Sequence, residues 1–344
     1  MLDGKIKNNG GSILVFALWS LALLTFLAVQ IGLTVRQKIV LISRLETRSQ
    51  LHFLAEAGAK KAIALLAKDL QAHKDQYTPE VKSFRHNNPE EFSGISVGQG
   101  TVDVSYRDSD GGAPDSQIRY GVVDEESKIN INFADRAMLT RLIENLPLFK
   151  EDQAKEVATA IVDWRELVGQ SETTGFYSDD YYSNLKDPYE PKHGLYESID
   201  ELLLVKGVTP EVYNRLRPYL TIYGNGLVNI NTASAPVLVA LGLNRALADK
   251  LLMFRRGPDG LEATTDDFIF QKTFDMASDM SKLIKLDAEE IGQLDALNAS
   301  RKIKIDSLFF LIRSQGRLAN RNEASEVICV YNGEKNWLEF WREK

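Results

Sequence analysis

Hydrophobic positions follow different periods along this chain, and each period predicts a different element. From Ile13 to Val35 the sequence ILVFALWSLALLTFLAVQIGLTV is apolar on every side, and no charged side chain occurs from Asn8 to Val35. At about 1.5 Å per residue, a helix of that length crosses about 30 Å of hydrocarbon. The hydroxyls of Ser20, Thr25 and Thr34 can bond back to the helix's own carbonyls, and Gln30 is a single amide that needs one partner. Residues 12–35 are therefore expected to span a membrane. Beyond Arg36 the pattern turns amphipathic. Ile39, Ile42, Leu45, Leu51, Leu54, Ala55, Gly58, Ala62, Leu65 and Leu66 recur at helical spacing, and no proline occurs before Leu70. One long helix fits this stretch, although Gly58 leaves room for a break into two.

The polar stretch from His73 to Ser93, with Pro79, Asn87, Asn88 and Pro89, reads as a loop or short turns. Period two then takes over: Thr101–Tyr106 alternates strictly and Ile118–Val123 follows, both as half-buried strands. The intervening Asp108-x-Asp110-x-Gly112 has the look of a calcium loop. It lacks the remaining ligands and the closing Glu, so it is read as a hairpin turn.

A repeat comes next. Ile129-Asn130-Ile131-Asn132-Phe133-Ala134 returns as Val228-Asn229-Ile230-Asn231-Thr232-Ala233, each a short strand running into an Asn or Thr cap and an apolar helix. Between the two copies, Gln153–Leu167 reads as a helix. Ser198 with Glu201 forms a capping-box pattern, Gly207 is a helix stop, and Thr209-Pro210 starts a helix to Leu220. These elements make a mostly helical insertion over residues 133–299. Residues 36–132 and 300–344 then form the two parts of an α+β domain. Ile303–Ile305, Leu308–Arg313, Val327–Tyr331 and Trp337–Trp341 are expected to complete the sheet begun at Val102.

Composition narrows the function. With 344 residues, 44% of them hydrophobic, the chain can bury one large core or two modest ones beyond the span. A net charge of −7 argues against a large nucleic-acid footprint. The single Cys329 allows no intramolecular disulfide. His52, His73, His86 and His193 show no metal-ligand spacing, and no phosphate loop or nucleophile elbow occurs, so no enzyme is indicated.

The leader MLDGKIKNNGG, ending at Gly11 before the apolar run, resembles that of type IV prepilins and type II secretion pseudopilins. The ordered set Val162-Asp163-Trp164-Arg165, Asp179-Asp180-Tyr181-Tyr182, Ser198–Pro210, Tyr219–Gly224 and Val228–Ala233 makes the resemblance specific. With the N-terminus, it is similar to the K-type minor pseudopilin of type II secretion systems over most of the chain. The resemblance implies an α+β fold: a pilin-like long N-terminal helix packed on an antiparallel sheet, carrying a large helical inserted domain of SAM or helix-hairpin-helix kind. It also implies cleavage after Gly11 by a prepilin peptidase, methylation of the new N-terminal Ser12, and a single-pass inner-membrane protein with its globular part in the periplasm. Its partners would be the I- and J-type minor pseudopilins, the major pseudopilin and membrane lipid, with no nucleic acid.

Two sets of residues carry mechanistic expectations from that resemblance. Ordinary pilins have Glu at the fifth position after the cut, where it neutralises a neighbour's N-terminal amine. Phe16 stands there in this chain, which suits a tip subunit with nothing above it. The family also binds calcium in an acidic stretch that corresponds to Asp163, Glu166, Glu172, Asp179 and Asp180. Two of its usual carboxylates are missing at Val168 and within Gly175-Phe176-Tyr177, so calcium and a solvated acidic loop held by tyrosines both stay open. One alternative function remains. Leu202–Thr209 followed by a helix resembles a helix-hairpin-helix, which holds DNA phosphates. Only Lys206, Arg215 and Arg217 would support it.

Overall fold

The computed structural model describes residues 10–107, 118–146, 151–166, 180–319 and 321–344, with backbone alone at 10–12, 151 and 180. Helix α1 runs unbroken over Gly10–Ala72, 63 residues. Gly58 does not interrupt it. A Cβ there would collide with Val102 and Ser314, so the glycine lets the helix backbone lie directly on the sheet. Ala55, Ala59 and Ala62 are buried beside it and extend the same smooth face. From Leu51 upward the apolar stripe is covered, whereas Ile39, Ile42 and Leu45 are exposed.

The polar stretch after α1 is helical, not a loop. Thr78 accepts from the Val81 amide to cap α2 (Pro79–His86), and Asn88 caps α3 (Pro89–Phe92). Strands β1 (Ile95–Val97), β2 (Gly100–Arg107), β3 (Ile118–Tyr120) and β4 (Val123–Asp124) follow. The Asp108–Gly112 turn lies outside the described residues.

The insertion begins with β5 (Ile129–Asn130), α4 (Arg136–Glu144), α5 (Glu151–Arg165), α6 (Asp180–Ser183), α7 (Pro210–Leu216) and β6 (Leu220–Thr221). It continues with β7 (Val228–Asn229), α8 (Ala235–Ala240), α9 (Arg245–Arg255), α10 (Met276–Ser281), α11 (Ala288–Ala299) and β8 (Ile303–Lys304). The chain then returns through β9 (Phe309–Leu318), β10 (Ala324–Asn332) and β11 (Trp337–Glu343). Seven strands form one sheet in the order β1-β2-β9-β10-β11, with β3 on β2 and β4 on β9, all antiparallel. Phe310, Ile312, Val327, Cys329 and Tyr331 bury one face of it against α1.

Three expectations change. Ile303–Lys304 does not join the main sheet; it pairs in parallel with Val228–Asn229, and the apolar core of the insertion takes in both Ile129 and Ile303, outside 133–299. The helix from Thr209-Pro210 stops at Leu216, passing through a 3-10 turn at Arg217–Tyr219 into β6. The caps after the two repeats are Asp135, which accepts from the Met138 amide, and Ser234, not Asn132 and Thr232. Both Asn side chains of the repeats are occupied elsewhere.

Candidate functional site in a long apolar helix and a duplicated module

Among the described residues, α1 alone is long and apolar enough to cross a membrane, and none of its apolar window is buried in the chain. Thr25 Oγ1 donates to Ala22 O at 2.8 Å and Thr34 Oγ1 to Gln30 O at 2.9 Å, so neither hydroxyl needs water. Phe16 is 74% exposed on this helix. Gly11 and Ser12 lie in its first turn as backbone.

The repeat seen in sequence builds two copies of one module. In the first, the Ile131 amide donates to Thr221 O and the Ala134 amide to Asn130 O; in the second, Ile230 donates to Lys304 O and Ala233 to Asn229 O, all four at 2.9 Å. Asn132 accepts from the Tyr196 amide at 2.8 Å and donates back to Tyr196 O at 3.0 Å. Asn231 does the same with Phe270, at 2.8 and 2.9 Å. An amide side chain carries both a donor and an acceptor, so each Asn copies a peptide unit and sutures a distant stretch of irregular chain. An arginine closes each turn. Arg165, at the end of α5, donates to Ile131 O and Ala134 O; Arg255, at the end of α9, donates to Ile230 O at 3.2 Å and Ala233 O at 2.5 Å.

The second module differs by being locked to the rest of the chain through charge. Arg255 Nη2 lies 2.5 Å from Glu262 Oε1, and Lys82 Nζ, from α2, lies 3.2 Å from the same oxygen and 2.8 Å from Asp267 Oδ2. Burial pushes the Glu262 carboxyl up, but Arg255 and Lys82 outweigh it and hold it well below the usual range. Arg85 bonds Asp69 on α1 at 2.7 Å and Asp306 at 2.9 Å, with its guanidinium 5.5 Å from the rings of Tyr77 and Phe310. Next to it, His86 Nδ1 donates to Val122 O at 3.0 Å, and burial lowers its imidazole to about 4. Asp124 accepts from the Glu126 amide (2.8 Å), Asn229 Nδ2 (3.0 Å), Thr232 Oγ1 (2.5 Å) and Ser307 Oγ (2.7 Å). A polar cavity of about 120 Å³ remains at this joint, lined among others by Lys82, His86, Arg119 and Asp124. None of these joint residues was singled out as a site in the sequence. The repeated Asn-x-Asn was the one visible signal, and an arginine ending the second helix after each copy would have extended it.

The acidic stretch is only partly described. Asp163 and Glu166 stand at the end of α5, Asp163 Oδ1 4.0 Å from Arg136 Nη2. Glu172 and Asp179 lie outside the described residues, as does the Asp180 side chain. Among the described residues Glu166 Oε2 is buried with no hydrogen-bond partner, which suits a cation. Calcium needs six to eight oxygens, however, and among the described residues no three acidic, His or Cys side chains converge. The described part does not by itself form the site. Trp164, Tyr182 and Tyr189 pack ring to ring beside it, at 5.6 and 6.3 Å from the tryptophan.

The helical hairpin is built as expected locally. Ser198 and Glu201 complete a capping box on a 3-10 turn, and Gly207 takes φ +81°. Two of its three cations are turned to aromatic rings: Lys206 Nζ lies 5.0 Å from the Tyr181 ring and Arg217 5.9 Å from Tyr213. The hairpin amide of Val208 is taken by Val205 O. Cys329 is buried in β10, and burial pushes its thiol up to about 12, far from a nucleophile's range.

A long exposed apolar helix, laid on an antiparallel sheet that opens to admit a helical domain, defines a pilin-like chain with an insertion. A family model described as type II secretion system (T2SS), protein K, matches residues 122–225, the stretch that holds the first module. Type II secretion system protein K of Aeromonas hydrophila is 35% identical over 102 residues, covering 28% of this chain and 31% of that protein. That of Pectobacterium carotovorum is 31% identical over 132 residues, 37% and 39% of the two chains. The Pseudomonas aeruginosa protein is 23% identical over 276 residues, 76% of each. The matches to the first two thus span about a third of their length. A chain in the crystal structure of the GspK-GspI-GspJ complex from enterotoxigenic Escherichia coli superposes with a TM-score of 0.61 at 17% identity, over 88% of this chain and 99% of that one. The chain is thus similar to type II secretion system protein K in sequence over residues 122–225, and shares the fold of that solved chain over most of its length.

Proposed function

We propose that this protein is a minor pseudopilin at the tip of a type II secretion pseudopilus, where it starts or caps the filament for protein export. The observation that carries this reading is the continuity of α1. One helix leaves the lipid, keeps an exposed apolar stripe through Ile39, Ile42 and Leu45, and then becomes the spine of the sheet domain. Exposed apolar surface on that scale requires either lipid or neighbouring helices. The same surface serves first as a membrane anchor and then as filament core.

In this mechanism a prepilin peptidase cuts after Gly11 and Ser12 becomes the methylated N-terminus. Phe16 offers no carboxylate to a neighbour's amine, so no subunit is recruited above. The two-module insertion occupies the place where such a subunit would sit. The I- and J-type minor pseudopilins, which share a complex with the K-type subunit in the Escherichia coli structure, would pack against α1 from below. The major pseudopilin would continue the filament, and the globular part would stand in the periplasm of a single-pass inner-membrane protein. Catalysis has no part in this scheme.

Intact mass spectrometry of the membrane-extracted chain, with and without co-expressed prepilin peptidase, tests the proposal. The expected product starts at Ser12 and carries one added methyl group only when the peptidase is present. A chain that keeps Met1 beside an active peptidase overturns it, and salt-dependent retention of that chain on DNA would then support the helical-hairpin alternative.

A further inference from the structure

We propose that the lower end of the sheet domain is a docking surface for anionic phospholipid headgroups, so that before assembly the domain rests on the membrane that anchors it. The inference relies on the membrane-anchor reading of α1.

The end of the domain nearest the apolar helix is identified by packing. Gly316 lies against Leu51 and Ala55 of α1, while at the far end Gly333 lies against Leu70. The turn from β9 to β10 and the end of β11 therefore both face the membrane side, beside Arg44, Arg48 and Leu51. Exposed on this side are Arg36, Lys38, Arg44 and Arg48 of α1, Arg321 of the turn, and Lys344. Opposing them are Glu46, Glu323 and Glu343, and Glu343 is engaged with His52 at 3.5 Å. A surplus of cations on one end of a chain whose net charge is −7 is a segregated charge, not the average of the surface.

The reach is right for headgroups. Arg36 and Lys38 follow Val35 directly and fall within the polar layer, roughly 5–7 Å thick on each side. Arg44 stands about 13 Å above the end of the span at about 1.5 Å per residue. Side chains on a helix lean toward its N-terminus, which is the membrane side here, so the guanidiniums of Arg44 and Arg48 are carried downward. Both come within one or two screening lengths of about 8 Å from the headgroups. No hydrogen bond or ion pair within the described residues engages the Arg44, Arg48 or Arg321 side chains, so no internal carboxylate competes with lipid phosphate.

Because Cys329 is buried, a single cysteine introduced as Ala319→Cys on the exposed β9–β10 turn can carry a donor fluorophore. The full chain is reconstituted into vesicles of phosphatidylcholine alone, or of phosphatidylcholine with phosphatidylglycerol, each holding a headgroup acceptor dye. Energy transfer is expected to be stronger in the anionic vesicles and to fall with added salt. In the Arg44→Gln, Arg48→Gln, Lys344→Gln variant it returns to the zwitterionic value, since each cation changes the docked-to-raised ratio about fivefold. Equal transfer in both vesicle types, or an anionic preference that survives the triple variant, overturns the proposal. A chain released by alkaline carbonate washing overturns the anchor reading and this one with it; a chain that stays bound without anionic preference overturns this one alone.

Discussion

Replacing the buried Arg255 by Met should make the inserted domain unfold far more readily. Met keeps most of the apolar stem, so the change isolates the guanidinium. Three partners are lost. Ile230 O and Ala233 O are buried carbonyls, and an unsatisfied buried acceptor costs about 1–3 kcal/mol. Glu262 loses its contact at 2.5 Å and is left to Lys82 and to the more distant Arg256 at 3.7 Å. Breaking one side of a buried ion pair costs about 3–5 kcal/mol, and because these terms overlap we expect about 4 kcal/mol in all.

The first module supplies the control. Arg165 makes the same two carbonyl contacts, and among the described residues no carboxylate is paired with it. Arg165→Met should therefore cost about 2 kcal/mol, and the difference between the two variants reports the Glu262 pair alone. Glu262→Gln in the Arg255→Met background should recover part of the loss, because it removes the stranded charge. The assay is thermal unfolding of the full chain in detergent, followed by circular dichroism. For a domain of this size, about 4 kcal/mol lowers the midpoint by about 10 °C. An Arg255→Met midpoint within a degree or two of the native protein, or equal losses at both arginines, would refute the locking role.

Two further outcomes test the sheet domain and the joint. Gly316→Ala should destabilise the chain by about 1–3 kcal/mol in the same assay, because its Cβ would fall 2.6 Å from Ala55 N and 2.8 Å from Leu51 O, both unyielding backbone atoms; an unchanged midpoint would mean that α1 can lift off the sheet without cost. His86 should make stability fall in mild acid. Its folded value of about 4 lies below the ordinary 6.5, so its contribution is complete above about pH 6.5 and is lost as pH falls toward 4, by about 3 kcal/mol in total. Between about pH 7 and pH 5 the native chain should lose about 2 kcal/mol more than His86→Asn, which keeps a donor for Val122 O. Parallel pH profiles would assign the titration to other groups.

How much of this was readable beforehand depended on where each residue's partners lie. The long apolar helix and the main strands were legible because they rest on local periodicity: an apolar run for α1, strict alternation for β2. Gly58 was ambiguous, since the reason for a glycine there sits on Val102 and Ser314 and not within the helix. The stretch holding α2 looked like loop because Lys82, Arg85 and His86 are polar. They are buried only because Glu262, Asp267 and Asp306 arrive from positions some two hundred residues away, which no window on the sequence can see. Asp124, Glu125 and Glu126 are three consecutive acidic residues, yet all three are buried. Ile303–Lys304 has the composition of any strand, and only the parallel partner Val228 decides which sheet it joins. The repeat was visible as words, while its arginine was not, because the spacing to it differs between the two modules.

The placement of these buried charges explains how a sheet can carry so large an insertion without losing its register. The chain leaves the sheet at β4 and returns at β9, and these strands are paired, Val123 with Leu311 and Asp124 with Phe310. Exit and entry are thus adjacent, and the sheet sees the insertion as a long hairpin loop. Adjacency alone would leave a hinge. Here the hinge is filled: Asp124 is bonded to Asn229, Thr232 and Ser307, and Glu126 accepts from the Leu308 amide at 2.7 Å and pairs with Lys304 at 2.6 Å. Burial raises the Glu126 carboxyl above its ordinary range, against the pull of Lys304. Rotating the insertion would expose or separate several of these buried groups together, each at a cost of kilocalories, whereas an apolar joint could slide. A second set of contacts, Lys82 to Glu262 and Arg85 to Asp69 and Asp306, ties the same joint back to α1 and α2. The orientation of the insertion is therefore fixed relative to the long helix. For a subunit proposed to sit at a filament tip, that is the property required: the helix sets the position in the filament, and the insertion inherits it.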